Sequence, residues 1–303
     1  MTAVPDHDRP APTVTRRRRV RAALAAAAAL AMTVAAAGTA SAQEGPGFAP
    51  PDEATVTPGV MTRTGDEGAQ CTANFVFTDG ADVFLGQAAH CAGTGGPTEL
   101  DGCGAASLPL GTPVEIEGAD RPGTLAYSSW IAMQEGGETD PNACRYNDFA
   151  LVRIDPADVA ATNPTMPFYG GPTAVDTDGT AAGEIVFGYG DSSLRQGIGA
   201  LRPKTGTSAG TSGAGWTHTL TTVPPGVPGD SGSGYLSGDG SALGVLSTLN
   251  LAPAAGTNGV TDLRSALDYA NGPGGFDGSL RLVPGERPFD PKVVPVDPAG
   301  LTG

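Results

Sequence analysis

Three short stretches carry residue types that can act together on an acyl carbon: "AAHC" (88–91), "NDFALV" (147–152) and "PGDSGSG" (228–234). Between them they supply His90, Asp148 and Ser231. A serine hydroxyl becomes a useful nucleophile only when a base accepts its proton, and imidazole titrates in the right range. The imidazole in turn needs a carboxylate to fix its tautomer and to stabilise its protonated form. The glycines around Ser231 let the backbone turn so that the N–H groups of Gly229 and Ser231 can face a developing oxyanion. Taken singly, each stretch has an ordinary structural reading: a histidine beside a cysteine, a strand start, a glycine-rich turn. It is their joint occurrence that points to nucleophilic acyl transfer.

Such residues need a scaffold, and the sequence offers strands. Short runs rich in Val, Phe, Ile, Thr and Tyr, at 72–78, 81–86, 113–117, 149–154, 184–189, 216–222 and 242–249, alternate with Gly, Pro and Asp clusters. The spacing predicts an antiparallel all-β fold. Asp79-Gly80 between two apolar runs predicts a hairpin. One helix is predicted in "TDLRSALDYANG": Thr261 or Asp262 caps it, Leu263, Ala266, Leu267 and Ala270 share a face, and Gly272 stops it. The Pro/Gly-rich flanks, 43–60 and 272–303, read as extended or loosely packed, and 155–179 as the connection between two β-units.

The first 42 residues read as an export signal. Arg16 to Arg19 and Arg21 form a basic region, an alanine-rich run follows, and Ala40-Ser41-Ala42 has the form of a cleavage site. A secreted, extracellular protein without a stable membrane anchor is expected. The 303-residue chain has a formal net charge of −15, and loss of the arginine-rich leader makes it more acidic still. Nucleic acid and anionic membranes are therefore poor partners. All four cysteines lie beyond the leader, where thiols are usually oxidised, so two disulfides are expected, with three pairings open. No Cys-x-x-Cys pair occurs and only His90 and His218 remain beyond the leader, which argues against a metal site. His218, in "WTHTLTT", has no motif around it and reads as structural or surface-exposed.

The chain order His, Asp, Ser, with "CTANFVF" before "AAHC", resembles the chymotrypsin/trypsin-type serine endopeptidases, in particular their secreted bacterial members. The substitute patterns fail: the order is not that of subtilisin, and Gly-x-Ser-x-Gly is absent because Ser233 follows Gly232. The resemblance spans roughly residues 59–271. It implies two antiparallel β-barrels, about 59–160 and 180–271, with the catalytic residues in the cleft between them, preceded by an extended segment at 43–58 and followed by a tail at 272–303. It also implies a Cys71–Cys91 bridge, and with it Cys103–Cys144. Ser247 is the counterpart of a serine that hydrogen-bonds the catalytic aspartate. Pro225, Thr248 and Leu249 match positions of the primary substrate pocket.

Departures from the family pattern shape the expected specificity and activation. Gln87 stands where Thr or Ser is usual, and Ser233-Gly234 where Gly-Pro is usual. Pro225 occupies the place of the aspartate that selects Lys or Arg, and Leu249 replaces an open glycine, so a small or medium apolar residue is expected on the acyl side. No Arg-Ile-Val-Gly-Gly-like junction precedes Cys71, so Asp230 needs an internal partner, for which Arg195 and Arg202 are candidates. The expected protein is a monomeric endopeptidase acting on protein or peptide substrates without cofactor, with activity rising as His90 titrates, roughly between pH 6 and 7. Two other functions use the same residues: an esterase, and a catalytically silent binding protein with a blocked cleft.

Overall fold

A computed structural model describes residues 47–66, 68–96, 99–250 and 255–292; the expected leader lies outside them. The first half contributes strands β1 (Met61–Thr64), β2 (Gln70–Thr72), β3 (Val76–Thr78), β4 (Val83–Gln87), β5 (Pro113–Ile116), β6 (Gly123–Ser128) and β7 (Ala150–Arg153), with helices α1 (Ser129–Gly136) and α2 (Pro141–Tyr146) between the last two. The second half contributes β8 (Ile185–Tyr189), β9 (Pro203–Ser212), β10 (Thr217–Val223), β11 (Gly234–Leu236), β12 (Ala242–Asn250) and β13 (Thr257–Asp262), then α3 (Leu263–Asn271) and β14 (Arg281–Leu282). All strand pairs are antiparallel. Among the described residues no helix is long and apolar enough to cross a membrane.

The second half closes as a six-stranded barrel, in the order β10-β13-β12-β11-β8-β9. The first does not close in the expected way: it is an eight-stranded sheet, β14-β3-β4-β7-β6-β5-β1-β2. Its two ends explain the difference. β2 and β3 are consecutive parts of one stretch, and Ala73 to Phe75 leave the ladder between them. Ala73 still exchanges bonds with the β1 side, through Val60 O at 2.9 Å and Gly59 N at 3.0 Å, while Asn74 and Phe75 bond Gly86 of β4 at 2.8 and 2.9 Å. The sheet thus curls round until its two ends are joined by the chain itself, leaving the Thr72 N–H on the outer side of β2 and the Asn74 side chain free for the other half.

Alternation along the strands sorts side chains into separate cores. On β4, Leu85 faces the interior of the curled sheet with Val76, Leu125 and Val152, whereas Phe84 faces a second core. That second core joins both halves, combining Phe75, Phe77 and Phe149 with Phe187, Val245, Leu263 and Leu267. The closed barrel is filled by Val186, Leu220, Tyr235, Leu243, Leu246 and Val260. The predicted hairpin forms, with Val76 opposite Leu85 and the Asp79 carboxylate accepting the N–H groups of Ala81 and Asp82, each at 2.8 Å. Helix α3 is capped by Asp262, which accepts from Ser265 N at 2.7 Å, and buries Leu263, Ala266, Leu267 and Ala270.

The described parts of both flanks, 47–60 and 272–292, expected to be extended or loosely packed, are bonded into the fold. Ala49 N donates to Thr162 O at 3.0 Å, and Val56 is fully buried. After α3 the chain adds β14 to the free edge of β3, then runs along the 155–179 connection, with Gly171 N donating to Arg287 O at 3.0 Å and Asp290 N to Tyr169 O at 2.7 Å. Phe276 packs on Phe84, and Phe289 on Phe187 at 5.3 Å between ring centres. Leu280, at 3% exposure, belongs to the core that joins the halves. Leu280→Ala is therefore expected to lower stability by about 2–4 kcal/mol in urea unfolding; a change below about 0.5 kcal/mol would mean that this segment is not part of the cooperative unit.

Candidate active site

β4 and β7 pair with Gln87 opposite Ala150, so in an antiparallel pair the residues after Gln87 meet those before Ala150. His90 lies in a short 3-10 turn, Ala89–Ala92, behind the fully buried Ala88 and Ala89; Asp148 lies between α2 and β7. Ser129, at the start of α1, holds the aspartate's neighbours: its hydroxyl donates to Asn147 O at 2.7 Å and accepts from Phe149 N at 3.1 Å. Asp148 Oδ1 accepts the His90 backbone N–H at 2.9 Å, and Oδ2 lies 2.6 Å from His90 Nδ1. An ionised carboxylate only accepts, so Nδ1 carries the hydrogen and Nε2 is left as the base.

Ser247 completes this relay. The β12–β13 register shifts between Leu246 and Thr248, and the residue at the shift is Ser247. Such a bulge re-aims one side chain. Its hydroxyl donates to Asp148 Oδ2 at 2.6 Å, a contact from the closed barrel into the first sheet.

Ser231 lines the same cleft as His90 and Ser247. The interruption at 73–75 positions its turn. Thr72 N donates to Ser231 O at 2.8 Å, Thr72 Oγ1 to Gly229 O at 2.8 Å and Asn74 Nδ2 to Gly232 O at 3.0 Å. In a trans peptide the C=O and N–H point in opposite directions. The carbonyl of Pro228 accepts from Ser192 Oγ at 2.6 Å and that of Asp230 from Ser233 N at 3.0 Å, which turns the N–H groups of Gly229 and Ser231 the other way. Among the described residues neither of these two N–H groups has an acceptor, whereas Asp230 N and Gly232 N donate to Val227 O and Leu246 O. Gly229, at φ 95°, adopts backbone open chiefly to glycine. The Ser231 hydroxyl makes no hydrogen bond to the ring, so the relay is continuous from Ser247 to His90 and open at its last step; catalytic contacts of this kind often tighten only around substrate.

No family model matches the chain, and neither does any curated protein. Solved structures do. The chain is similar to Thermobifida fusca protease A, at 20% identity over 77% of this chain and 100% of that one, with a TM-score of 0.48. It is also similar to a Nocardiopsis protease (19%, 75% and 98%, 0.43) and to a Cellulomonas bogoriensis chymotrypsin (20%, 75% and 98%, 0.44). These are bacterial chymotrypsin-like serine proteases, and the likeness is one of fold alone.

Burial opposes charge on both members of the His90–Asp148 pair, and their mutual attraction prevails. For His90, burial lowers the pKa, but the Asp148 charge and hydrogen bond bring it above the ordinary 6.5. For Asp148, burial raises it, but the His90 charge, the bonds from His90 and Ser247 and the His90 backbone N–H bring it below 3.8. The histidine's contribution to stability is therefore complete below pH 6.5 and is lost as the pH rises through its folded value, while that of the aspartate is lost as the pH falls through its own.

The cleft, of about 470 Å³, is lined by Thr248, Leu249 and Gly226 and not by Pro225, whose carbonyl accepts from Arg195 Nη2 at 2.9 Å. Asn258, absent from the sequence reading, ties the two walls: its amide bonds both the N–H and C=O of Gly226, at 2.9 and 3.2 Å, and Thr248 O at 3.1 Å. Gln87, the odd residue before the histidine, faces inward and bonds Thr62 and Thr64 of β1 at 2.8 and 3.0 Å. His218 is fully buried, bonded to Asp262 at 3.0 Å, Thr180 and Thr211, which makes it structural. Of the two candidate partners for Asp230, Arg195 takes the role at 2.5 Å; Arg202 pairs with Asp191 instead, and the second cation at Asp230 is Lys204. Two groupings of ligand-type side chains occur among the described residues, Cys71/His90/Cys91 and Asp101/Cys103/Cys144. In both, the sulfurs are joined as the disulfides Cys71–Cys91 and Cys103–Cys144, leaving no thiolate to offer a metal.

NMR titration of the His90 ring is expected to give a pKa above 6.5 in the wild type and a value below 6.5 in Asp148→Asn, where burial remains and the opposing charge is gone. An unchanged value in the variant would remove Asp148 as the cause.

Proposed function

We propose that this protein is a serine endopeptidase that acts outside the cell. The observation that carries the proposal is the continuous Ser247–Asp148–His90 relay opening onto the cleft lined by Gly229 and Ser231, whose N–H groups have no acceptor among the described residues. The Ser231 hydroxyl attacks the scissile carbonyl while His90 Nε2 takes its proton. Asp148 stabilises the imidazolium, and Gly229 N and Ser231 N receive the negative charge that develops on the carbonyl oxygen. His90 then returns the proton to the leaving amine, giving an acyl-enzyme that water hydrolyses by the same steps. Because the reaction needs neutral His90, activity rises with pH through its raised pKa, with a midpoint above 6.5. The leader sequence and the two disulfides support export. Internal partners for Asp230 support activity after removal of the leader alone.

Fluorophosphonate labelling followed by a protein-digestion assay tests the proposal. Wild type is expected to be labelled at Ser231 and to digest protein, and Ser231→Ala to lose labelling and about 10⁴-fold or more of the turnover. Labelling without proteolysis would favour an esterase, and folded protein that is not labelled a binding protein.

The walls formed by Gly226, Val227 and residues 246–249 carry no charged side chain. Cleavage of a mixed peptide library is expected to favour small or medium apolar residues on the acyl side, and Leu249→Gly to admit aromatic ones; a preference of the wild type for Lys, Arg or Glu would overturn this assignment.

A further inference from the structure

Asp230, next to the nucleophile, is fully buried. Its Oδ2 accepts from Arg195 Nη2 at 2.5 Å and from Val227 N at 3.0 Å, while Oδ1 lies 3.4 Å from Lys204 Nζ. Lys204 is also fully buried, on β9, and its ammonium donates to Arg202 O at 3.2 Å. Gly190 leaves room for the pair: a Cβ there would lie 2.7 Å from Asp230 Oδ1 and 2.9 Å from Lys204 Nζ. Arg195 alone neutralises the carboxylate, and a fully buried lysine is rare and costly. Of the two cations, only the lysine can change its charge in an ordinary pH range.

We propose that Lys204 is a positioning residue for the oxyanion site: its ammonium holds the second oxygen of Asp230, and loss of its proton loosens the 226–231 turn and disables the site at alkaline pH. The proposal rests on the acyl-transfer reading above. The charged groups acting on Lys204 are Asp230 and, from the segment after β8, Asp191, both attractive, and Arg195, repulsive; of the nearby phenols, Tyr169 donates to the Lys204 backbone carbonyl at 2.9 Å, and Tyr235 on β11 faces Asp230 and Arg195. Burial lowers the lysine most; Asp230 raises it and Arg195 lowers it, leaving it at about 8 against an ordinary 10.5. Burial pushes Tyr169 up to about 12 and Tyr235 further, so neither phenol titrates in that window. Since the folded value lies below the unfolded one, raising the pH from about 8 to 10.5 removes a proton from the folded chain alone. Over that range this group stabilises the fold while releasing Asp230, so activity and stability part company.

The test is kcat/KM on a chromogenic peptide and the fluorophosphonate labelling rate from about pH 6 to 10.5, with circular dichroism and Tm measured in parallel. The wild type is expected to lose about tenfold in both rates above pH 8 with a single-proton slope, unchanged dichroism and no fall in Tm. Lys204→Met is expected to show a plateau about tenfold lower and no alkaline limb. Gly190→Ala, which crowds lysine and carboxylate apart, is expected to move the limb to lower pH, and it decides the matter with the wild-type profile if Lys204→Met does not fold. A wild-type profile flat to pH 10, an alkaline limb retained in Lys204→Met, or a limb unmoved in Gly190→Ala would overturn the assignment. Folded wild type that is unlabelled at every pH would instead remove the acyl-transfer reading, and the role of Lys204 with it.

Discussion

The cleft depends on one short seam, where the interrupted strand of the first sheet meets the turn that carries Ser231. Each half packs an interior of its own, and apolar packing between them is non-directional and sets no fine register. Hydrogen bonds do. Thr72 and Asn74 take three carbonyls of the 229–232 turn, and Gln70 reaches across to Asp191 O at 2.6 Å. Thr72 lies on β2, the outermost strand of the first sheet, so its N–H faces a side with no strand partner and is free for the turn. The other donors, Thr72 Oγ1, Asn74 Nδ2 and Gln70 Nε2, are side-chain groups that a ladder does not consume, so the open edge at β2 is what allows the turn to dock.

Two buried aspartates flank this seam and meet their charge in different ways. Asp148 is surrounded by a histidine, a hydroxyl and one backbone N–H, of which only the histidine is ionisable. Its environment therefore holds a proton that can be handed on. Asp230 is instead flanked by two cations, the Arg195 guanidinium on one oxygen and the Lys204 ammonium on the other, an arrangement that fixes the carboxylate rather than passing a proton through it. Removing one partner of either pair would strand a charge in a medium that solvates it badly.

That His90, Asp148 and Ser231 converge on one cleft was legible because acyl-transfer chemistry admits few side chains and their chain order narrows the choice further. The supporting residues were less so. Thr72, Asn74 and Ser192 act through hydrogen bonds to backbone carbonyls, and nothing in their sequence neighbourhoods sets them apart from other polar residues. Lys204 escaped notice because its burial is set by β9, "PKTGTSAGTS", whose small polar residues carry no apolar alternation. β6 and β13 were missed for the same reason, and α1 and α2 are too short for a helical period to emerge. Helix α3, with a cap, a four-residue apolar face and a stop, was read correctly from those local signals. The flanks were read as loose because their order comes from pairing with β3 and the 155–179 connection, which composition does not reveal.

The Cys71–Cys91 bond spans 20 positions of sequence. One sulfur sits beside Thr72 and the other beside His90, so the bond tethers His90 to the same seam that anchors the Ser231 turn. Registration of the two halves of the machinery is thus partly covalent, and it is completed only where thiols are oxidised. Under reducing conditions that tether is lost, and the seam is held by its hydrogen bonds alone.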